Sequence, residues 1–180
     1  MKYLRRLYEN KKKHEYGCAM LYIKMPFLQV LHEIIDEQDL YIENDTNSHG
    51  LEDEPHITLL YGLHDSNSAS EILEMCYDFL FSVKELDLFN VSSFDNDKFD
   101  VLKFDVKGAQ NLHIVNKELV KFPHTNKFPE YHPHCTIAYL KPRKAKKYIK
   151  LLSRIQVNVE VEKLVYSNSD GQKIEKIMDV

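Results

Sequence analysis

Two short stretches of the chain carry the same polar residues at the same spacing. "PHITLLY" (55–61) and "PHCTIAY" (133–139) each follow a proline with a histidine, a threonine two places on and a tyrosine three further. Chance supplies roughly 0.2 HxT triplets in a chain of this length and composition, so a pair with matching flanks is a signal. An imidazole, with an unperturbed pKa of about 6.5, both takes and gives a proton near neutrality. Two of them on opposite sides of a phosphodiester can divide the work. One deprotonates the attacking hydroxyl and the other protonates the leaving oxygen, each typically worth about 10²–10⁴-fold. The threonine hydroxyls can donate to the non-bridging oxygens and steady the charge of the transition state. Such a site calls for no metal and no cofactor. The two motifs are symmetric in sequence and leave open which histidine is base and which is acid.

Other chemistries fit these residues less well. "HPH" (132–134) with His56 could supply three nitrogens to zinc, but threonine is a poor zinc ligand and the chain has no HExxH. Cys135 lies beside His134, yet strand alternation turns it to the opposite face and no separate activating base is evident. The cysteines, Cys18, Cys76 and Cys135, form no CxxC pair and sit among apolar neighbours, as small buried thiols do. With five glycines and no GxGxxG or GxxxxGK[ST], a glycine-rich phosphate loop has little support. Lys141, in the basic run "KPRKAKK" after the second motif, is the lysine nearest to it in sequence and a candidate for attracting phosphate. The run as a whole reads as the solvated start of a helix.

The elements that must position these groups follow from periodicity. "GCAMLYIK" (17–24) reads as a strand, with Cys18, Met20, Tyr22 and Lys24 on one face. Phe27, Val30, Leu31, Ile34 and Ile35 then recur at helical spacing. Residues 43–54 are polar and read as a loop before the first motif strand. Ile72, Met75, Cys76, Phe79 and Leu80 mark a second helix. "KELDLFNVSSF" and "KFDVLKFDV" flank the turn "DND". A helix through Leu112, Val115 and Leu119 runs up to Phe122. The second motif strand, a helix through Ala145, Tyr148, Ile149 and Leu152, and the closing strands "QVNVEVEKLVYSN" and "KIEKIMDV" complete the order. Residues i and i+2 of a strand share a face, so His56 pairs with Thr58 and His134 with Thr136. Ile57, Leu59, Tyr61, Cys135, Ile137 and Tyr139 are expected on the opposite, packing faces. Strands alternating with helices, with hairpins among them, predict an α+β fold in one domain over 1–180.

The whole-chain properties narrow the function classes. The 180 residues are 43 % hydrophobic and 29 % charged, with a net charge of −4 and a pI near 6.1. That balance is wrong for coating a long nucleic acid. No apolar run is long enough to cross a bilayer, and the lysine-rich start is not followed by a signal-peptide core, so a cytosolic protein is expected.

At these residues the sequence resembles the 2H phosphoesterase superfamily, named for two HxT/S motifs. The resemblance rests on His56-Ile57-Thr58 and His134-Cys135-Thr136. It implies a bilobal α+β fold, with two pseudo-symmetric antiparallel sheets lining a central cleft and helices outside. More narrowly, "EPHITLLYGLH" and "YHPHCTIAYLKP" resemble the phage anti-CBASS cyclic-oligonucleotide phosphodiesterases, which open cyclic di- and trinucleotide immune signals. That resemblance implies that His56, Thr58, His134 and Thr136 carry the reaction and that the substrate's own 2′-hydroxyl attacks the adjacent phosphate. It also implies work in the cytoplasm of an infected host cell. A base would be held near the first strand, where Tyr22 offers a ring to stack on, with core packing as the plainer role of that residue. Glu162, in a late strand, offers an acceptor for a base edge. The same site suits linear 2′-5′ oligonucleotides, 2′,3′-cyclic phosphate ends or RNA termini. A module that sequesters a nucleotide would need donors but not two proton-transfer groups.

Overall fold

In the computed structural model, residues 14–43, 49–126, 128 and 130–178 are described. Strand β1 (Gly17–Lys24) leads to helix α1 (Leu28–Ile34), then β2 (His56–Leu63), α2 (Ala69–Leu80), β3 (Glu85–Asp95), β4 (Asp100–Lys107), α3 (Gln110–Leu119), β5 (His134–Leu140), α4 (Ala145–Leu152), β6 (Val157–Ser167) and β7 (Lys173–Ile177). Ser68 opens α2 by accepting from the Glu71 N–H, the arrangement expected of a Ser-x-x-Glu start. The buried faces of α1 and α2 are narrower than periodicity alone suggests: Val30 and Phe79, both placed on apolar faces by spacing, are exposed. Helix α3 stops at Leu119, short of Phe122. Among the described residues no helix is long and apolar enough to cross a membrane.

The strands form an antiparallel α+β architecture in two arms. One arm is built from β2, β1, the second half of β6, and β7; the other from β5, β4, β3 and the first half of β6. The expected two sheets are thus joined into one hydrogen-bonded circuit. At one side β6 serves both arms, pairing β3 as far as Glu160 and β1 from Glu160 onward. At the other side the motif strands β2 and β5 meet through the single pair Ile57–Cys135. Both residues are fully buried, because each arm turns one apolar face toward helices. Helices α2 and α3 cover the first arm and α4 the second. The covered core includes Leu21, Leu59, Leu63, Ile72 and Leu112 on one side and Phe104, Leu102 and Tyr148 on the other.

Each motif strand carries an interruption of its register just after the threonine, and these two match; β2 has a second at Gly62. Against β1, Thr58 pairs with Met20 and Leu60 with Ala19, leaving Leu59 as the extra residue. Against β4, Thr136 pairs with Lys103 and Ala138 with Leu102, leaving Ile137 extra. A bulge of this kind shifts the alternation by one residue. Leu60 and Ala138 are therefore buried alongside the bulged residues. Tyr61 pairs with Cys18 and Tyr139 with Val101, on the faces that carry Met20 and Lys103. The expectation that both tyrosines face the helices is corrected: they line the same side as the histidines. Gly62 follows because it holds a φ of 106° and the Thr125 carbonyl would lie 2.0 Å from any Cβ there. Only glycine lets that loop close onto β2.

Candidate active site

His56 and His134 open their strands at equivalent positions about the Ile57–Cys135 pair. Their rings are held the same way. His56 Nδ1 is 2.7 Å from the Glu54 carbonyl oxygen and His134 Nδ1 is 2.6 Å from the His132 carbonyl oxygen. A carbonyl can only accept, so each Nδ1 carries its hydrogen and donates it. Each Nε2 is thereby left as the atom that gains or loses a proton. Thr58 and Thr136, both half-buried, stand two residues along on the same face. The Thr58 hydroxyl interacts with the Cys18 thiol and that of Thr136 with Tyr139. The four residues singled out by spacing thus lie on one face of two adjoining strands.

The groups around the two histidines differ. Beside His56, in register, is Tyr22, whose ring stacks on the imidazole at 5.5 Å between centroids and 23°. The Tyr22 hydroxyl lies between Glu54, to which it donates at 3.3 Å, and Lys173, which donates to it at 3.1 Å. Lys173 also pairs with Glu54 at 2.6 Å. Burial works to raise the Glu54 carboxyl, but the hydrogen bond and charge of Lys173 prevail and hold it below its ordinary value. Burial pushes the Tyr22 hydroxyl up to about 12. With 6 % of its surface exposed, Tyr22 backs the catalytic-type ring and has little face left for a base.

Beside His134, in register, is Asp105, and beside Thr136 is Lys103. Lys103 is buried to 5 % exposure. Its ammonium donates to Asp105 at 2.5 Å and to Ser92 at 2.8 Å, and lies 4.4 Å from the centre of the Phe94 ring. Asp105 accepts in addition from Asn90 and Ser92. Burial opposes its ionisation, but Lys103 and these donors hold the carboxyl below its ordinary value. The Phe94 ring meets His134 edge-on at 4.9 Å between centroids and is 37 % exposed. Burial, joined by the charge of Lys103, holds the His134 imidazole below its ordinary value against the opposing pull of the His132 carbonyl.

Lys103, Asp105 and Phe94 are components that sequence reasoning missed. The signal for the first two lies in "KFDVLKFDV", where Lys103 and Asp105 sit at i and i+2 between apolar residues, and Phe94 closes "KELDLFNVSSF", but nothing local says that these faces meet the second motif. Two other expectations are revised. Lys141 lies at the far end of β5, roughly 20 Å of strand from His134, and its ammonium donates to the Gln38 carbonyl. The lysines after it are drawn to the buried Asp39: Lys144 at 3.0 Å and Lys147 both pair with its carboxylate, so the basic run anchors α4. Glu162 sits where the β1–β6 register slips between Tyr22 and Ile23, and its charge acts on Lys24. Burial pushes Cys135 up to about 12, which suits a packing thiol. Among the described residues no group of three His, Cys, Asp or Glu side chains is placed to hold a metal ion.

The two arms with paired His-x-Thr strands make a fold that is shared with a solved structure. Usb1 from Kluyveromyces marxianus superposes with a TM-score of 0.55 at 8 % identity, over 92 % of this chain and 99 % of that one. The same protein with uridine monophosphate gives 0.50 at 8 %, over 90 % and 98 %. E. coli LigT complexed with 3'-AMP gives 0.46 at 12 %, over 92 % and 97 %. The family model of the 2'-5' RNA ligase superfamily matches residues 42–173, and the chain belongs to that superfamily, whose members are phosphoesterases. No curated protein sequence matches the chain significantly.

Proposed function

We propose that the protein is a metal-independent phosphodiesterase that opens 3'-5' bonds of cyclic di- and trinucleotide signals, with His56 and His134 as the proton-transfer pair and Thr58 and Thr136 holding the phosphate. The observation that carries this is the identical Nδ1 tethering of both histidines, which frees two Nε2 atoms for one phosphodiester. The attacking 2′-hydroxyl forms a bond to phosphorus while the 5′-oxygen leaves. A 2′,3′-cyclic phosphate results, and water then opens it to a 3′-phosphate. A ring-shaped substrate fits because it carries its own nucleophile beside each phosphate and exposes no terminus to be recognised. Uridine monophosphate bound to a protein of this fold supports a nucleotide substrate. In this reading the protein acts in the cytoplasm of a phage-infected cell and removes the signal of CBASS defence before it reaches its effector.

The family description names 2'-5' RNA, which supports a linear 2'-5' oligonucleotide as a second substrate, and the same site suits a 2′,3′-cyclic phosphate end. One assay separates the readings: the protein is incubated with cyclic dinucleotides, cyclic trinucleotides and linear 2'-5' and 3'-5' oligomers, with and without EDTA, and the products are resolved. Ring opening that persists in EDTA is expected. Cleavage confined to linear 2'-5' substrates would move the function to the second reading, and intact ligand in a tight complex would leave a sequestering module.

A further inference from the structure

The two histidines are tethered alike through Nδ1, but the residues that tether them are held differently. The carbonyl that accepts from His134 belongs to His132, whose exposed ring lies 3.4 Å from Glu130 and 6.4 Å, centroid to centroid, from Phe94. The carbonyl that accepts from His56 belongs to Glu54, which is fastened through its backbone and its side chain. The Glu54 N–H donates to Glu52 Oε1 at 3.1 Å. Its carboxylate accepts from Lys173 at 2.6 Å and from the Tyr22 hydroxyl at 3.3 Å. The next carbonyl, that of Pro55, accepts from the Ile23 N–H at 3.1 Å.

Lys173 is the distant member of this set. It opens β7, 119 residues beyond Glu54, and it also donates to the Tyr22 hydroxyl at 3.1 Å. Tyr22 in turn stacks on His56. One ammonium therefore meets both supports of the imidazole: the residue whose carbonyl engages Nδ1 and the ring that backs its face. We propose that Lys173 is a positioning residue for His56, clamping Glu54 and Tyr22 from β7 so that the imidazole keeps the orientation and tautomer in which Nε2 is free to exchange a proton. The proposal rests on the phosphodiesterase reading above.

An exposed ion pair between two flexible side chains contributes little, because the cost of ordering them and solvent screening offset the attraction. This pair has a third partner, the hydroxyl of a buried ring, so Lys173 cannot leave Glu54 without also giving up Tyr22. Burial works to lower the Lys173 ammonium, but its bonds to Glu54 and Tyr22 prevail and hold it above its ordinary value, as Glu54 is held below its own. Both partners thus stay ionised across the neutral range in which an imidazole exchanges protons. Lys163, the other cation beside the Tyr22 ring at 5.4 Å, is engaged by Glu175 instead. A neutral imidazole carries its hydrogen on one nitrogen or the other, and an acceptor beside Nδ1 selects the Nδ1–H form. When Glu54 is released its carbonyl turns away, the Nε2–H form becomes populated, and in that form Nε2 can donate but not accept.

Long-range ¹H–¹⁵N correlation NMR of the full chain without substrate, at a pH where the imidazoles are neutral, reads the tautomer of each histidine. In the wild type His56 and His134 are both expected in the Nδ1–H form. Lys173→Met, checked for folding by circular dichroism, is expected to give a tautomer mixture at His56 while His134 stays as it was. Glu54→Gln is expected to do the same from the other side of the pair, and Lys173→Arg to restore the single form. An unmixed His56 in folded Lys173→Met and Glu54→Gln overturns the proposal. On a 3'-5' linked cyclic dinucleotide, Lys173→Met is expected to lower kcat about 3–10-fold and to leave KM within about twofold of wild type. A raised KM at unchanged kcat overturns the proposal, because it makes Lys173 a substrate contact. The double variant is expected to be no slower than the slower single one, and losses that add overturn the clamp. A wild type that turns over none of the cyclic or linear substrates overturns the phosphodiesterase reading, and the tautomer comparison then decides the clamp by itself.

Discussion

At the scale of the residue, the proposed reaction separates groups that would exchange protons from groups that hold them in place. His56→Ala and His134→Ala are each expected to lower turnover by two to four orders of magnitude, on the order of 10²–10⁴-fold, with circular dichroism unchanged because both side chains lie at strand ends. Phe94 offers an aromatic face beside His134 that the sequence reading passed over. Its replacement by alanine is expected to raise KM more than it lowers kcat, since stacking a base on an aromatic is worth about 1–3 kcal/mol. Steady-state kinetics on a cyclic dinucleotide measures the split, and a loss confined to kcat would assign the ring to support of His134 alone. Cys135→Ala is expected to keep its turnover, because the thiol is buried away from the cleft and burial holds it protonated. The motif residues were legible in the sequence because spacing of two on a strand is local geometry. Lys103 and Asp105 were not, since their meaning comes from β4 lying beside β5, a contact between segments about thirty residues apart. Lys141 was misplaced for the converse reason: nearness along the chain became distance once the strand extended.

At the scale of the element, the matched bulges at Leu59 and Ile137 decide which side chains see the cleft. Strict alternation sends Tyr61 and Tyr139 to the helices; one extra residue in each strand brings them to the histidine face instead. Periodicity reads the strands but not the bulges, because a bulge is a property of the pair and its cause lies in the partner strand. Ile57, at the meeting of the two motif strands, has no exposed surface. Ile57→Ala is expected to destabilise the fold by about 2–5 kcal/mol, measurable as a lower urea midpoint, and to lower activity through the disturbed register of His56 and His134. A variant as stable as wild type would show that the β2–β5 contact does not hold the arms together. Helices were visible in outline, but Val30 and Phe79 show that apolar spacing overstates the buried face where a helix covers the edge of a sheet.

At the scale of the whole molecule, two arms share β6 on one side and touch through Ile57–Cys135 on the other. The sequence resemblance anticipated two lobes and a cleft; the closure of their strands into one circuit came only with the coordinates, since nothing in a strand's composition says that it will serve two arms. The circuit fixes the histidines relative to each other, which the proposed chemistry requires, while β1 and β4 set unlike neighbours beside them. The central claim is that these two side chains pass a phosphodiester through a 2′,3′-cyclic phosphate. A ³¹P NMR time course of a cyclic dinucleotide with the wild-type protein in EDTA tests it most directly. The account predicts that the diester signal gives way first to a cyclic phosphate and then to a monoester. Direct appearance of a 5′-monophosphate, or a diester signal that persists until metal is added, would contradict it.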